Sequence, residues 1–305
     1  MRPHGEGAAM SQQDVYYRPP SEAESFIIRV MRGCPHNKCT FCNLFKDVRC
    51  KALPLDEVLL GLDRDAEELG PKYIDRVTSM YLEGGDPLAL RAEHLLAVME
   101  HAKSLFPGLT RFACYATARF TIKKSPEELR ALAEAGLQCV FIGLESGSDA
   151  ILESAKKGCT SADILQAGTM LSKAGIAMDV SMMLGIGGKE FSREHAITTA
   201  HLISAVEPEC VRIRTFIPKT NTELGDEYLN GQFSLMGPHD IMRELRLMVE
   251  HITGKTRLLS EHWSDFILFN AFMPGAKQQL LEYVDQHLAM PESEFRAIGI
   301  DDEKS

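Results

Sequence analysis

Three cysteines, Cys34, Cys39 and Cys42, fall within the short stretch RGCPHNKCTFC. Thiolates this close in sequence can share a metal centre, and their spacing is C-x4-C-x2-C. Structural zinc takes four nitrogen or sulfur ligands in a closed tetrahedron. Two residues compete for the fourth place. His36 lies between two of the cysteines and would be a strained ligand, and Cys50 has no paired CxxC partner. An iron–sulfur cluster also takes thiolates and ordinarily wants four. With three, one iron keeps an open coordination position. Substrates and cofactors bind at such positions, so the incomplete set points to chemistry more than to scaffolding, with a zinc-stabilised binding protein as the competing class.

The elements around the cysteines decide where that chemistry sits. Six β-type runs span 26–33, 79–85, 111–118, 139–146, 177–188 and 210–218. Between them lie helical patterns. Leu55, Val58, Leu59, Leu62, Ala66 and Leu69 recur at helical spacing. Ser125-Pro-Glu-Glu128 reads as a capping box with proline at the first helical position, and Gly136 stands where the C-terminal cap belongs. Ser192 is expected to open a further helix that Pro208 closes. Strand-then-helix units in succession imply parallel strands with helical crossovers. Both solutions to that pattern, a doubly wound sheet and a barrel, place their sites at the C-terminal strand ends. The cysteines follow the first strand directly.

Polar or glycine-rich groups end the next four strands: Gly84-Gly85-Asp86, Tyr115-Ala-Thr-Ala-Arg119, Glu145-Ser-Gly-Ser148 and Gly185-Ile-Gly-Gly188. Each also has a purely structural reading. Gly84-Gly85 can be a plain turn. Ser146 or Ser148 can cap a helix N-terminus. Arg119 can be a rim salt bridge, and Gly185-Ile186 an ordinary strand-to-helix turn. Arg212 and Arg214, two apart on the sixth strand, share one face. They either meet an anionic substrate inside a barrel or pair with acids on the helix side. Residues 219–305 read as mainly helical with one short β-like run, TRLLSEHW (256–263). Within it Glu261 or His262 could reach substrate, while Trp263 is expected to pack in the core or at the rim.

The 305 residues carry 45% hydrophobic and 25% charged side chains, ordinary for a globular protein. Net charge is −10, which argues against a large nucleic-acid surface. No run of about eighteen apolar residues predicts a membrane span. The N-terminal residues 1–24 read as a loose arm with no apolar signal segment. A reducing cytoplasm is therefore the expected compartment, in which clustered thiols are metal ligands rather than disulfides. Cys114, Cys139, Cys159 and Cys210 are expected to be small buried hydrophobes.

The cysteine motif after a first strand, with Phe41 before its last cysteine, resembles that of the radical S-adenosylmethionine (SAM) enzymes. The usual spacing there is C-x3-C-x2-C, so this chain has one extra residue in the first gap. GLESGSD (143–149) is similar to the branch holding methylthiotransferases, coproporphyrinogen dehydrogenases and the catalytic Elongator subunit. The resemblance implies a partial (β/α)6 TIM-like barrel over 25–219, with a mainly helical C-terminal cap over 220–305. It implies a [4Fe–4S] cluster on Cys34, Cys39 and Cys42, with SAM on the open iron. Reductive cleavage would give a 5′-deoxyadenosyl radical that takes hydrogen from a small-molecule substrate. Expected SAM contacts are Phe41, Gly84, Gly85, Asp86 (in place of the family's Glu), Thr117, Arg119, Glu145, Ser146, Gly185 and Ile186.

The expected partners are that substrate and a reducing electron donor such as flavodoxin or ferredoxin, with neither nucleic acid nor membrane. A cobalamin domain or an auxiliary cysteine-rich cluster is not expected, since the N-terminal arm is short and no cysteine follows Cys210. A non-catalytic SAM- and cluster-binding role, as in haem trafficking, is the alternative within the same fold.

Overall fold

The computed structural model describes residues 15–297. The first fourteen residues of the expected N-terminal arm lie outside the described residues. Eight strands form one sheet in chain order: β1 (Phe26–Arg29), β2 (Ser79–Glu83), β3 (Arg111–Ala116), β4 (Leu137–Glu145), β5 (Ala177–Leu184), β6 (Cys210–Thr215), β7 (Thr256–Ser260) and β8 (Phe269–Met273). Neighbours from β1 to β7 pair in parallel, and β8 returns antiparallel to β7. The edge strands β1 and β8 do not pair, so the α/β sheet is a partial barrel with an open side.

The crossover helices are α1 (Leu55–Leu69), α2 (Ala92–Leu105), α3 (Pro126–Glu134), α4 (Ser161–Ala174) and α5 (Gly188–Val206). Their apolar stripes face the sheet. In α2, Leu95, Val98, Met99 and Ala102 are wholly buried at helical spacing. Each large apolar side chain removed from water in this layer contributes about 1.5–3 kcal/mol. The capping box at α3 forms as the sequence implies: Glu128 N donates to Ser125 Oγ at 3.1 Å and Ser125 N donates to Glu128 Oε2 at 2.7 Å. Helix α5 starts four residues before Ser192, at Gly188, because the strand-end turn runs straight into it.

The residues after 219 are mainly helical, with Glu223–Leu229, α6 (Pro238–His251) and α7 (Lys277–Leu288). TRLLSEHW, read as β-like from the sequence, supplies β7, which extends the parallel sheet. FNAFM supplies β8, which was not foreseen. Its outward face carries Asn270 and an exposed Phe272, so the run lacks the polar–apolar alternation by which a strand is recognised.

Candidate active site

The three cysteines sit on the loop after β1. That loop is tied down by a short antiparallel ribbon, Met31–Arg32 with Lys51–Ala52. All three are free thiols and line one cavity of about 280 Å³ at the C-terminal ends of the strands. Burial raises the pKa of each thiol, so the protein alone favours the neutral form and metal binding must supply the deprotonation. Among the described residues no three His, Cys, Asp or Glu side chains are gathered around a single metal-ion position. One zinc ion would need every sulfur at about 2.3 Å from it. A cluster takes one thiolate per corner iron and so suits sulfurs spread over a cavity wall.

Gly85 makes the cradle. A Cβ there would lie 2.6 Å from Cys34 Cα and 2.6 Å from Gly33 O, and Gly85 N donates to Gly33 O at 3.0 Å. Only a glycine lets the end of β2 rest flat on the cysteine loop. Gly84 approaches Met31 in the same way at φ +149°. Asp86 is fully buried beneath them and accepts from Thr117 N at 2.9 Å and Thr117 Oγ1 at 2.6 Å. It therefore clamps the end of β3 to the end of β2. Burial pushes its carboxyl up to about 7 against the pull of the Thr117 hydrogen bonds, and its Oδ1 has no hydrogen-bond partner.

The GLESGSD segment divides its residues between two environments. The register of β4 against β5 shifts between Gly143 and Glu145, and Glu145 takes φ +58°. This irregularity aims Glu145 at the cavity and Ser146 at the helix layer. Glu145 accepts from Lys157 Nζ at 2.8 Å, with both side chains 9% exposed. Lys157 also lies 5.7 Å from the Phe41 ring, and its field reaches Cys39 and Cys42. Burial disfavours its charge, but Glu145 and Cys39 outweigh that, so it stays protonated. Lys157 was missed in the sequence because a lysine twelve residues past Glu145 belongs to no spacing rule.

Ser146 Oγ lies 2.8 Å from His195 Nδ1 and accepts from Ser148 N at 3.0 Å. His195 Nε2 donates to Met183 O at 3.1 Å, which leaves Nδ1 to accept from the Ser146 hydroxyl. Burial lowers His195 to about 4, so it is neutral. Glu244 of α6 accepts from Gly185 N at 2.7 Å and stands 3.7 Å from His195 Nε2. Burial pushes Glu244 up to about 7, against hydrogen bonds from Ser192 and Gly185.

Of the expected contacts, Phe41, Gly85, Thr117 and Glu145 line the cavity with the three cysteines, and Gly84 and Asp86 support its wall from behind. Ser146, Gly185, Ile186 and Arg119 are not among the residues that line it. Ser146 belongs to the buried seam with His195. A Cβ on Gly185 would meet Ile241 of α6 at 2.7 Å. Ile186 packs with Ile151, Ala155, Phe216 and Leu224. Arg119 is exposed, its guanidinium 5.9 Å from the Phe120 ring centroid.

Arg212 and Arg214 do face the cavity, with Asp179 and Ser181 on β5. Arg212 pairs with Glu261 at 2.6 Å and Asp179 at 3.4 Å. His262 and Trp263 also line the cavity. Trp263 is 49% exposed and sits at the cavity rim with the β7–β8 connection. Cys114, Cys139 and Cys210 are buried, and Cys159 is half-buried. No helix among the described residues is long and apolar enough to cross a membrane.

A model of the radical SAM superfamily matches residues 28–203. An uncharacterised protein of Methanocaldococcus jannaschii is 24% identical over 266 residues, covering 82% of this chain and 79% of that one. The heme chaperone HemW of Bacillus subtilis is 23% identical over 175 residues, 56% of this chain and 46% of its own. Among solved structures, the coproporphyrinogen III oxidase HemN from Escherichia coli, described as a radical SAM enzyme, has a TM-score of 0.54 at 14% identity, over 74% of this chain and 52% of that one. The chain thus spans about half the length of HemW and HemN, and the likeness to HemN is one of fold.

Proposed function

From the premise that this chain belongs to the radical SAM superfamily, whose members use a [4Fe–4S] cluster and SAM, we propose that it is a SAM-cleaving enzyme acting on a small molecule held in the cavity. The observation that carries this reading is the set of three free thiols facing the strand ends across one cavity. Held there by Cys34, Cys39 and Cys42, a reduced [4Fe–4S] cluster would supply the electron for cleaving SAM to methionine and a 5′-deoxyadenosyl radical that could take hydrogen from substrate. The protein's part is to bind, orient and exclude water and oxygen.

Cys34, Cys39 and Cys42 would hold three corner irons. The methionyl end of SAM is a zwitterion. Carbonyls at the Gly84–Gly85 turn can accept from its ammonium, and the Glu145–Lys157 pair beside Cys39 offers one charge of each sign. Phe41 and Thr117 complete the walls. Asp86, through Thr117, and the Ser146–His195–Glu244 seam would hold these groups in place from behind the wall. Electrons would come from a small reductant such as flavodoxin or ferredoxin.

Anaerobic reconstitution with iron and sulfide should give a brown protein with broad visible absorption. With dithionite and SAM it should form 5′-deoxyadenosine. A colourless zinc protein would overturn the cluster reading. A brown protein that binds SAM but never cleaves it would leave a carrier of the haem-trafficking kind.

A further inference from the structure

We infer that the cavity holds a second, anion-specific subsite on β6, centred on Arg214, and that the substrate of the proposed reaction is a small organic molecule carrying a carboxylate or phosphate group. This deepens the proposed function and rests on it. The argument starts from a charge count along the cavity wall. Four cations line it: Lys157, Arg212, Arg214 and Lys219. Lys157 is matched by Glu145 at 2.8 Å, and Arg212 by Asp179 and Glu261. Lys219 Nζ lies 5.6 Å from the Trp263 ring centroid. Arg214 is half-buried, and among the described residues no carboxylate stands within ion-pair distance of its guanidinium. Asp265 lies close enough to feel its field. The oxygens of Asp265, however, are taken by Thr215 N at 2.9 Å, Ser260 Oγ at 2.9 Å and His262 N at 3.0 Å.

A guanidinium withdrawn from water without a counter-charge is costly unless a ligand supplies one. Its planar fork of donors matches a carboxylate or phosphate. Two hydroxyls on the same cavity wall strengthen the case. Tyr115 on β3 and Ser181 on β5 line the cavity, and neither hydroxyl has a hydrogen-bond partner among the described residues. The field of Arg214 reaches Tyr115. Strand alternation puts Ser181 on the face that Arg212 and Arg214 share. Three strands thus offer uncommitted donors to one space. In a chain of net charge −10, this is a local inversion of sign.

The subsite is separate from the one that suits SAM. The cation whose field reaches both Cys39 and Cys42 is Lys157, and it is already paired with Glu145, whereas Arg214 has no such acid. The charges at the cysteine loop are thus assigned to the cofactor and the one on β6 to the substrate's acid group, both within one cavity. The space between them would hold the hydrogen to be removed.

The test uses reconstituted, SAM-loaded protein under nitrogen at constant ionic strength, titrated calorimetrically with malonate and, separately, with inorganic phosphate. At least one should bind saturably with 1:1 stoichiometry. Malonate alone points to a carboxylate substrate, phosphate alone to a phosphate ester, and both to a site that reads the oxyanion only. R214Q should weaken the bound probe at least tenfold, R214K by less, and Y115F about threefold, while the Kd for SAM moves less than twofold in each. R214K keeps the cation, so it remains informative if R214Q fails to fold. Binding of neither probe would overturn the inference. So would an equal weakening of SAM and probe in R214K, which would assign Arg214 to the cofactor. Both failures leave SAM cleavage by the wild-type protein intact. Loss of that cleavage would instead defeat the proposed function itself.

Discussion

The cavity mouth and the seam behind it share one sequence motif, GLESGSD, yet they obey opposite rules. At the mouth, Glu145 and Lys157 pair beside free thiols, and Arg214 has no acid within ion-pair distance among the described residues. One residue along from Glu145, Ser146 enters a seam with His195 and Glu244 in which the fold favours the neutral form of every group. A single irregularity in β4, with φ +58° at Glu145, separates the two. The mouth withholds satisfaction from its polar groups so that ligands can provide it. The seam binds its groups mainly to one another and so fixes the strand ends. A motif of seven residues can therefore be half ligand contact and half scaffold.

The sharpest way to break this comparison is at the cysteines. C39A should lose cluster loading, read as iron content and visible absorbance, and lower SAM cleavage by at least about 100-fold, with near-native thermal stability of the metal-free chain. Full cleavage in C39A would remove the ligand assignment. Next comes the charged pair. K157M leaves the Glu145 carboxylate buried and unmatched, which should cost about 3–5 kcal/mol in denaturant unfolding. The double variant E145Q/K157M should recover most of that loss, and if it does not, the cost lies in packing rather than in charge.

The seam predicts a pH signature. Glu244 has a folded pKa of about 7, above its ordinary value, so its contribution is present below about 4.5 and is lost as pH rises through 7. His195 has a folded pKa of about 4, below its ordinary value, so its contribution is present above about 6.5 and is lost as pH falls through 4. Between about pH 4.5 and 6.5 the two slopes oppose each other. E244Q removes one of them, so its stability should climb with pH across that window by up to about 1.4 kcal/mol per unit, while the wild type stays flatter. Identical profiles for the two proteins would mean the seam does not hold neutral groups. The smallest effect is expected just outside both regions. Lys156 pairs with Glu223, but both are half-exposed, so K156A should change stability by less than about 1 kcal/mol.

The strand–helix alternation, the α3 capping box and the cysteine loop after β1 could all be read from the chain, because each is a local pattern with a local cause. Gly85 could be read as a close approach for the same reason. Which way Ser146 and Gly185 face could not, since that depends on a register shift against β5 and on α6, more than fifty residues downstream of Gly185. Lys157, Asp179 and Ser181 stayed hidden because their roles come from strand pairing and not from spacing. β8 escaped because an exposed phenylalanine on an edge strand looks like no strand at all. The sequence placed Arg212 and Arg214 on one face but could not say that only one of them would find an acid.

The loop between β7 and β8 roofs the cavity, yet Asp265 pins it to Thr215 and Ser260 rather than to anything near the cysteines. The roof and the cofactor floor therefore hang from different ends of the sheet. A new segment could be grafted over 261–268, with that aspartate kept as its anchor, and the cysteine-bearing half of the sheet would be left as it is.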